Sequence, residues 1–122
     1  MVNLVWERSN GYFVKRMTVG AGIVAGDPVE IVDLHGVAVT SYSAADGMAD
    51  VAFSGIDFVQ DVLVEAVNNT VGSAVAIGDK VYYDTAATIK INKDGVAGKL
   101  YGYALEAIAV GGSDTINVAC VN

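Results

Sequence analysis

The chain has 122 residues, 53% of them hydrophobic and 17% charged, with a formal net charge of −7 and a single cysteine, Cys120. That length suffices for one domain with a core of its own, the lone cysteine excludes an internal disulfide, and the acidic balance argues against a nucleic-acid partner, whose phosphates need a basic face. With 14 Gly and one Pro, so apolar a composition suits short strands joined by turns, with part of the surface hidden in an assembly.

Residues 1–16 stand apart from the rest. Arg8, Lys15 and Arg16 give them three of the seven basic residues, and Trp6, Tyr12 and Phe13 make them aromatic. A basic, aromatic terminus ahead of an acidic body reads as an arm that docks on another surface. The alternative is an ordinary first strand, with Val2, Leu4 and Trp6 on one face. No basic stretch leads into an apolar run, so no secretory signal is expected. Met17 to Gly26, the longest weakly polar stretch, falls far short of the ~20 apolar residues that span a bilayer. The expectation is a soluble chain made in the cytosol, without membrane contact.

From Val19 onward the signal is β. Residues 28–33, 36–40, 48–53, 80–84, 88–92, 99–106 and 115–121 are short, rich in β-branched or aromatic residues, and bounded by Gly, Asp and Asn. Ser41 to Gly47 has room for one helical turn. The stretch from Ile56 to Val67 is ambiguous: Ile56, Val59, Leu63, Ala66 and Val67 fit a helical stripe, whereas Phe58, Val62, Val64 and Ala66 fit alternation. Its β-branched residues favour strand, with Asn68-Asn69-Thr70 as the closing turn. Asp94-Gly95, after Ile89 to Asn92, has the composition of a type I′ hairpin turn.

Part of the chain is written twice. Gly26-Asp27-Pro28-Val29, Gly36-Val37-Ala38-Val39 and Asp50-Val51-Ala52-Phe53 are echoed by Gly78-Asp79-Lys80-Val81, Gly102-Tyr103-Ala104-Leu105 and Asn117-Val118-Ala119-Cys120. The offsets are 52 (Gly26 to Gly78), 66 (Gly36 to Gly102) and 67 (Val51 to Val118), so one insertion of about 14 residues within 84–99 absorbs the drift. The pattern predicts an all-β fold, a small β-barrel or sandwich, with an N-terminal arm over 1–16 and a single domain over 17–122. Its two pseudo-repeats run over about 19–67 and 71–122, and an extra hairpin in the insertion distinguishes the halves.

The repeated positions are turn and core residues; none is a nucleophile, base or metal ligand. Between Met17 and Asp79 there is no Lys or Arg, while nine acidic residues from Asp27 to Asp79 fall there, forming either a solvated face or one that steers a basic partner. With one His and one Cys, no metal site or catalytic triad is expected. His35, before Gly36, reads as an exposed turn residue, and Cys120, in alternation with Ile116 and Val118, as a packed thiol. The carboxylate pairs Asp46/Asp50 and Asp57/Asp61 lack the ligand density of a calcium loop. Gly72 to Lys80 has one residue too many for a phosphate loop, carries Asp79 where phosphate would sit, and places Val81 where a hydroxyl is needed. Tyr82-Tyr83 and Tyr101-x-Tyr103 read as cross-strand packing in preference to a sugar- or base-stacking platform.

Ala25-Gly26-Asp27-Pro28-Val29, Gly36-Val37-Ala38-Val39-Thr40, Gly78-Asp79-Lys80-Val81-Tyr82-Tyr83-Asp84, Gly102-Tyr103-Ala104-Leu105-Glu106-Ala107 and Val118-Ala119-Cys120-Val121 together resemble a family of small phage head proteins. These are capsid decoration or cement proteins, often labelled predicted RecA/RadA-type phage recombinases, a label that this short chain without a phosphate loop does not fit. The resemblance covers roughly 17–121. It implies a β-barrel-like or β-tulip-like fold and assembly as homotrimers, or as dimers on two-fold positions. It further implies binding to the major capsid protein on the outside of the expanded head, where the protein resists internal DNA pressure after assembly in the host cytoplasm. No catalytic residue or cofactor comes with it. On this reading Trp6, Arg8, Tyr12, Phe13, Lys15 and Arg16 are the expected capsid-binding residues. The competing classes are another virion structural protein, such as a tail-tube or head-tail joining protein, and a small-ligand-binding β module.

Overall fold

The computed structural model describes residues 13–53 and 59–120, and their regular structure consists of strands. By internal contacts the chain divides into unit 1, residues 1–58 with residue 122, and unit 2, residues 59–121. The all-β expectation holds.

Unit 1 is a four-stranded antiparallel sheet in the order β1-β4-β3-β2, built from β1 (Phe13–Thr18), β2 (Pro28–Ile31), β3 (Leu34–Ala38) and β4 (Met48–Phe53). Between β3 and β4 the Gly47 N–H donates to the Ser43 carbonyl at 2.8 Å, closing a tight turn where the sequence left room for a helical one. Val29, Ala38, Val51 and Phe53 form the core, with Met17, Val19, Ile23 and Ile31 packed against it. Each such large side chain removed from water contributes about 1.5–3 kcal/mol. β1 begins at Phe13, so the last four residues of the arm delimited by composition pair with β4, from Phe13 opposite Phe53 to Arg16 opposite Asp50.

Unit 2 contains β5 (Val59–Glu65), β6 (Val67–Asn68), β7 (Val71–Gly72), β8 (Lys80–Tyr83), β9 (Ile91–Asn92), β10 (Lys99–Ala104) and β11 (Ser113–Cys120). β10-β11-β5-β9-β8 close into a barrel, and β6 and β7 make a separate hairpin. The ambiguous stretch is strand: Val62 and Val64 are buried in β5 while Val59 and Leu63 face out. Tyr101 is an extra residue in β10, where the pairing with β8 shifts between Leu100 and Gly102. This bulge explains how Tyr101 is fully buried while Tyr103, two residues on, is 37% exposed. Tyr83 and Tyr101 then pack in the core, ring centroids 6.3 Å apart. Cys120 is buried, as its alternation predicted.

The two units share one hydrogen-bonding plan. Gly26 and Gly78 take φ 95° and 91°, values that disfavour any side chain. Asp27 Oδ2 accepts the Val24 N–H at 3.0 Å and Asp79 Oδ2 the Ala76 N–H at 2.9 Å. Gly26 N–H donates to the Ala38 carbonyl and Gly78 N–H to the Ala104 carbonyl, both at 2.7 Å, and Ala38 and Ala104 return bonds to the carbonyls of Asp27 and Asp79, both at 2.8 Å. Val14 lies opposite Ala52 as Val59 lies opposite Ala119. By this correspondence β5-β11-β10-β8 repeats β1-β4-β3-β2. Unit 2 adds the β6–β7 hairpin and the segment carrying β9.

Three local expectations are corrected. The insertion is not an extra hairpin: β9 pairs antiparallel with β8, Tyr82 opposite Asn92, and parallel with β5, Val64 opposite Ile91, which closes the barrel. Asp94-Gly95 does not form a type I′ turn, since Gly95 is not among the positive-φ residues; the Asp94 carboxylate instead accepts the N–H groups of Val96 and Ala97 and caps a tight turn. Consecutive left-handed residues, as type I′ requires, occur at Asn69 (φ 52°) and Thr70 (φ 69°) in the β6–β7 connection. His35 is not an exposed turn residue: it lies in β3, is 3% exposed, and its Nε2 sits 2.8 Å from Glu30 Oε2 on β2. Pairing of β2 with β3 placed it beside a carboxylate that offset the cost of burying its ring nitrogens.

Candidate functional site

The residues singled out in the sequence fall around the start of unit 1. Trp6, Arg8 and Tyr12 lie outside the described residues. Phe13 opens β1 opposite Phe53. Lys15 and Arg16 are exposed and, as neighbours in a strand, lie on opposite faces of it.

Arg16 is held within its own unit. Its Nε and Nη2 meet the two carboxylate oxygens of Asp46 at 2.8 and 3.2 Å, and its Nη1 meets Asp50 Oδ1 at 3.1 Å. The Asp46 hydrogen bonds, then the one to Asp50, raise the pKa of the guanidinium above its ordinary value, and the same guanidinium holds the Asp46 carboxyl below the usual aspartate range. The Asp46/Asp50 pair, weighed above as a weak calcium candidate, thus grips an arginine. All three side chains are about two-fifths exposed, so the network orients the chain more than it stabilises it.

Exposed apolar side chains form a second feature, one that alternation alone did not pick out. On the outer face of the barrel, Val59 lies opposite Ala119, and Ala119 opposite Tyr103, making a row across β5, β11 and β10. Val59 is 48% exposed and Tyr103 37%. The signal present in the sequence was the set of apolar residues at both parities of the 59–67 stretch, which a half-buried strand does not need.

Unit 2 also has a cleft of about 550 Å³ lined by Glu65, Asp84, Thr88, Asn92 and Asp94 among others. Its buried polar groups shape the surrounding loops: Asp84 Oδ1 accepts the Ala86 N–H, and Asn92 Oδ1 accepts the Asp94 N–H. Among the described residues no three His, Cys, Asp or Glu side chains are grouped to hold a metal ion.

A family model described as phage cement protein matches residues 9–120, and the chain belongs to that family. It is therefore a phage structural protein of the capsid-stabilising kind. No curated protein and no solved structure matches the chain.

Proposed function

We propose that this protein is a head decoration protein that binds the outer surface of the expanded capsid and stabilises it against the pressure of packaged DNA. The observation that carries the reading is the family match over 9–120. A protein that binds the expanded shell and not its precursor adds its binding free energy to the expanded state alone. Repetition over many sites, with oligomers engaging several shell subunits at once, makes modest contacts sufficient. The partner is the major capsid protein, and the protein associates with itself as a homotrimer in preference to a dimer; the exposed row of Val59, Ala119 and Tyr103 supplies apolar surface for such contacts.

In this reading Trp6, Arg8, Tyr12, Phe13, Lys15 and Arg16 form the capsid-binding arm. Aromatic and arginine side chains are the usual anchors of an interface, and an extended segment can add to an exposed sheet edge. Arg16, bonded to Asp46 and Asp50, ties β1 to β4 and to the turn before it. Purified protein mixed with undecorated expanded heads should appear in electron micrographs as regular density on the outer surface. Absence of that density, or assembly of the protein alone into rings or tubes, would replace this reading with a tail or head-tail joining role.

A further inference from the structure

The β2–β3 hairpin turns through Val32 and Asp33, with Ile31 opposite Leu34 at its neck. Val32 takes φ 58°. That left-handed region crowds a β-branched side chain against its own backbone, and Gly, Asn or Asp is the usual occupant of such a turn position. Val32 is also 77% exposed, so little burial within the chain offsets the strain, and Leu34 beside it is 43% exposed. The stem below is cross-linked: Glu30 pairs with His35 across the hairpin, and their side chains meet at 2.8 Å with the His35 side chain 3% exposed. In unit 2 the corresponding connection, from β8 to β10, runs through β9 and is consumed in closing the barrel. The short, apolar tip is peculiar to unit 1.

We propose that Val32, with Leu34 at its side, is a docking knob that inserts into an apolar pocket with a basic rim on the capsid shell protein. The proposal rests on the decoration reading given above. Strained residues persist where the surroundings over-determine them and cluster at sites of function, and a tip already ordered in the free protein loses little entropy on docking. Charge selects the occupant. Asp33 is exposed beside Val32, and the chain has no Lys or Arg between Met17 and Asp79. A basic-rimmed pocket on another protein complements this tip, whereas a second copy of a chain of net charge −7 would bring acid to acid.

The test uses the full-length protein carrying Val32→Gly and, separately, Val32→Asn, both of which suit a left-handed φ. Val96→Ser, at a site 99% exposed in unit 2, serves as the control. Melting temperature, oligomer mass by light scattering, and affinity for undecorated expanded heads are measured for each. The expected result is a melting temperature equal to or above wild type, an unchanged oligomer mass, and affinity reduced at least tenfold for both Val32 variants, with Val96→Ser at wild-type affinity. Wild-type affinity in both Val32 variants overturns the proposal, as does a loss of affinity that accompanies dissociation of the oligomer, which would make the occupant a second copy. Failure of the wild-type protein to bind heads removes the decoration reading and this proposal with it, an outcome distinguished by the wild-type arm alone.

Discussion

Gly36 and Gly102 stand 66 positions apart in the chain and at the same place in two different sheets. A Cβ on Gly36 would run into the carbonyl oxygen of Ala52 and come within 3.0 Å of Val51 Cγ1. A Cβ on Gly102 would run into the carbonyl oxygen of Ala119 and come within 2.9 Å of Val118 Cγ1. Each glycine lets its strand lie hard against the next, which is why the same residue recurs in both copies.

Gly36→Ala and Gly102→Ala should therefore each destabilise the protein by about 1–3 kcal/mol, because the obstacle is backbone and cannot swing aside. Gly20→Ala, where nothing lies within 4 Å, is the contrast, with an effect between zero and a gain of about 1 kcal/mol. Urea denaturation of the three variants checks both. Equal midpoints would show that the close approach has no energetic consequence.

Removal of Ile91 tests barrel closure. Its side chain is fully buried on β9, the strand that joins β5 to β8. Ile91→Ala should cost about 2–5 kcal/mol. Hydrogen exchange should accelerate at the β5, β8 and β9 amides while the β1–β4 amides keep their protection. Uniform acceleration through both units would instead mean that they unfold as one.

Acid should weaken the turn before β8. Lys93 Nζ lies 2.6 Å from Asp79 Oδ2, and this contact, followed by the Ala76 N–H bond, holds the Asp79 carboxyl below the usual aspartate range. A carboxyl depressed in the folded state adds stability above its unfolded value of about pH 4, and that stability is lost as pH falls further through the folded value. Asp79→Asn should melt lower than wild type at neutral pH, and the two curves should converge as pH falls below about 4. Parallel curves across that range would refute the linkage.

Where the arm is cut should decide whether function alone is lost. Truncation of residues 1–12 leaves β1 intact and should give a folded protein with weakened binding to expanded heads. Truncation of 1–16 also removes four of the six β1 residues together with the Arg16 bonds to Asp46 and Asp50. It should lower the melting temperature as well. Full binding by the first variant would remove Trp6, Arg8 and Tyr12 from the capsid contact, and full binding by both variants would end the arm hypothesis.

The duplicated phrases were legible because they are local grammar: a Gly-Asp turn bonds within three residues of itself, and alternation needs only the strand it belongs to. Hence all-β character, the two copies, the burial of Cys120 and the strand over 59–65 could be read from residue order. Composition changes at Met17, whereas among the described residues pairing with β4 already runs from Phe13, because a strand partner is chosen across the sheet and not by local composition. Acidic residues such as Asp46 and Asp50 looked alike in sequence. Only their common approach to Arg16 assigns them a task.

Residue order determined that this chain would be repeated β structure, with glycines at fixed turns. Tertiary structure decided that one copy closes into a barrel through β9 while the other presents a strained Val32 at its tip, and that His35 is buried against Glu30. The division follows range. Hydrogen bonds to near neighbours are written in consecutive residues, whereas closure, burial of a polar ring and exposure of an apolar one depend on strands distant in sequence meeting in a single register.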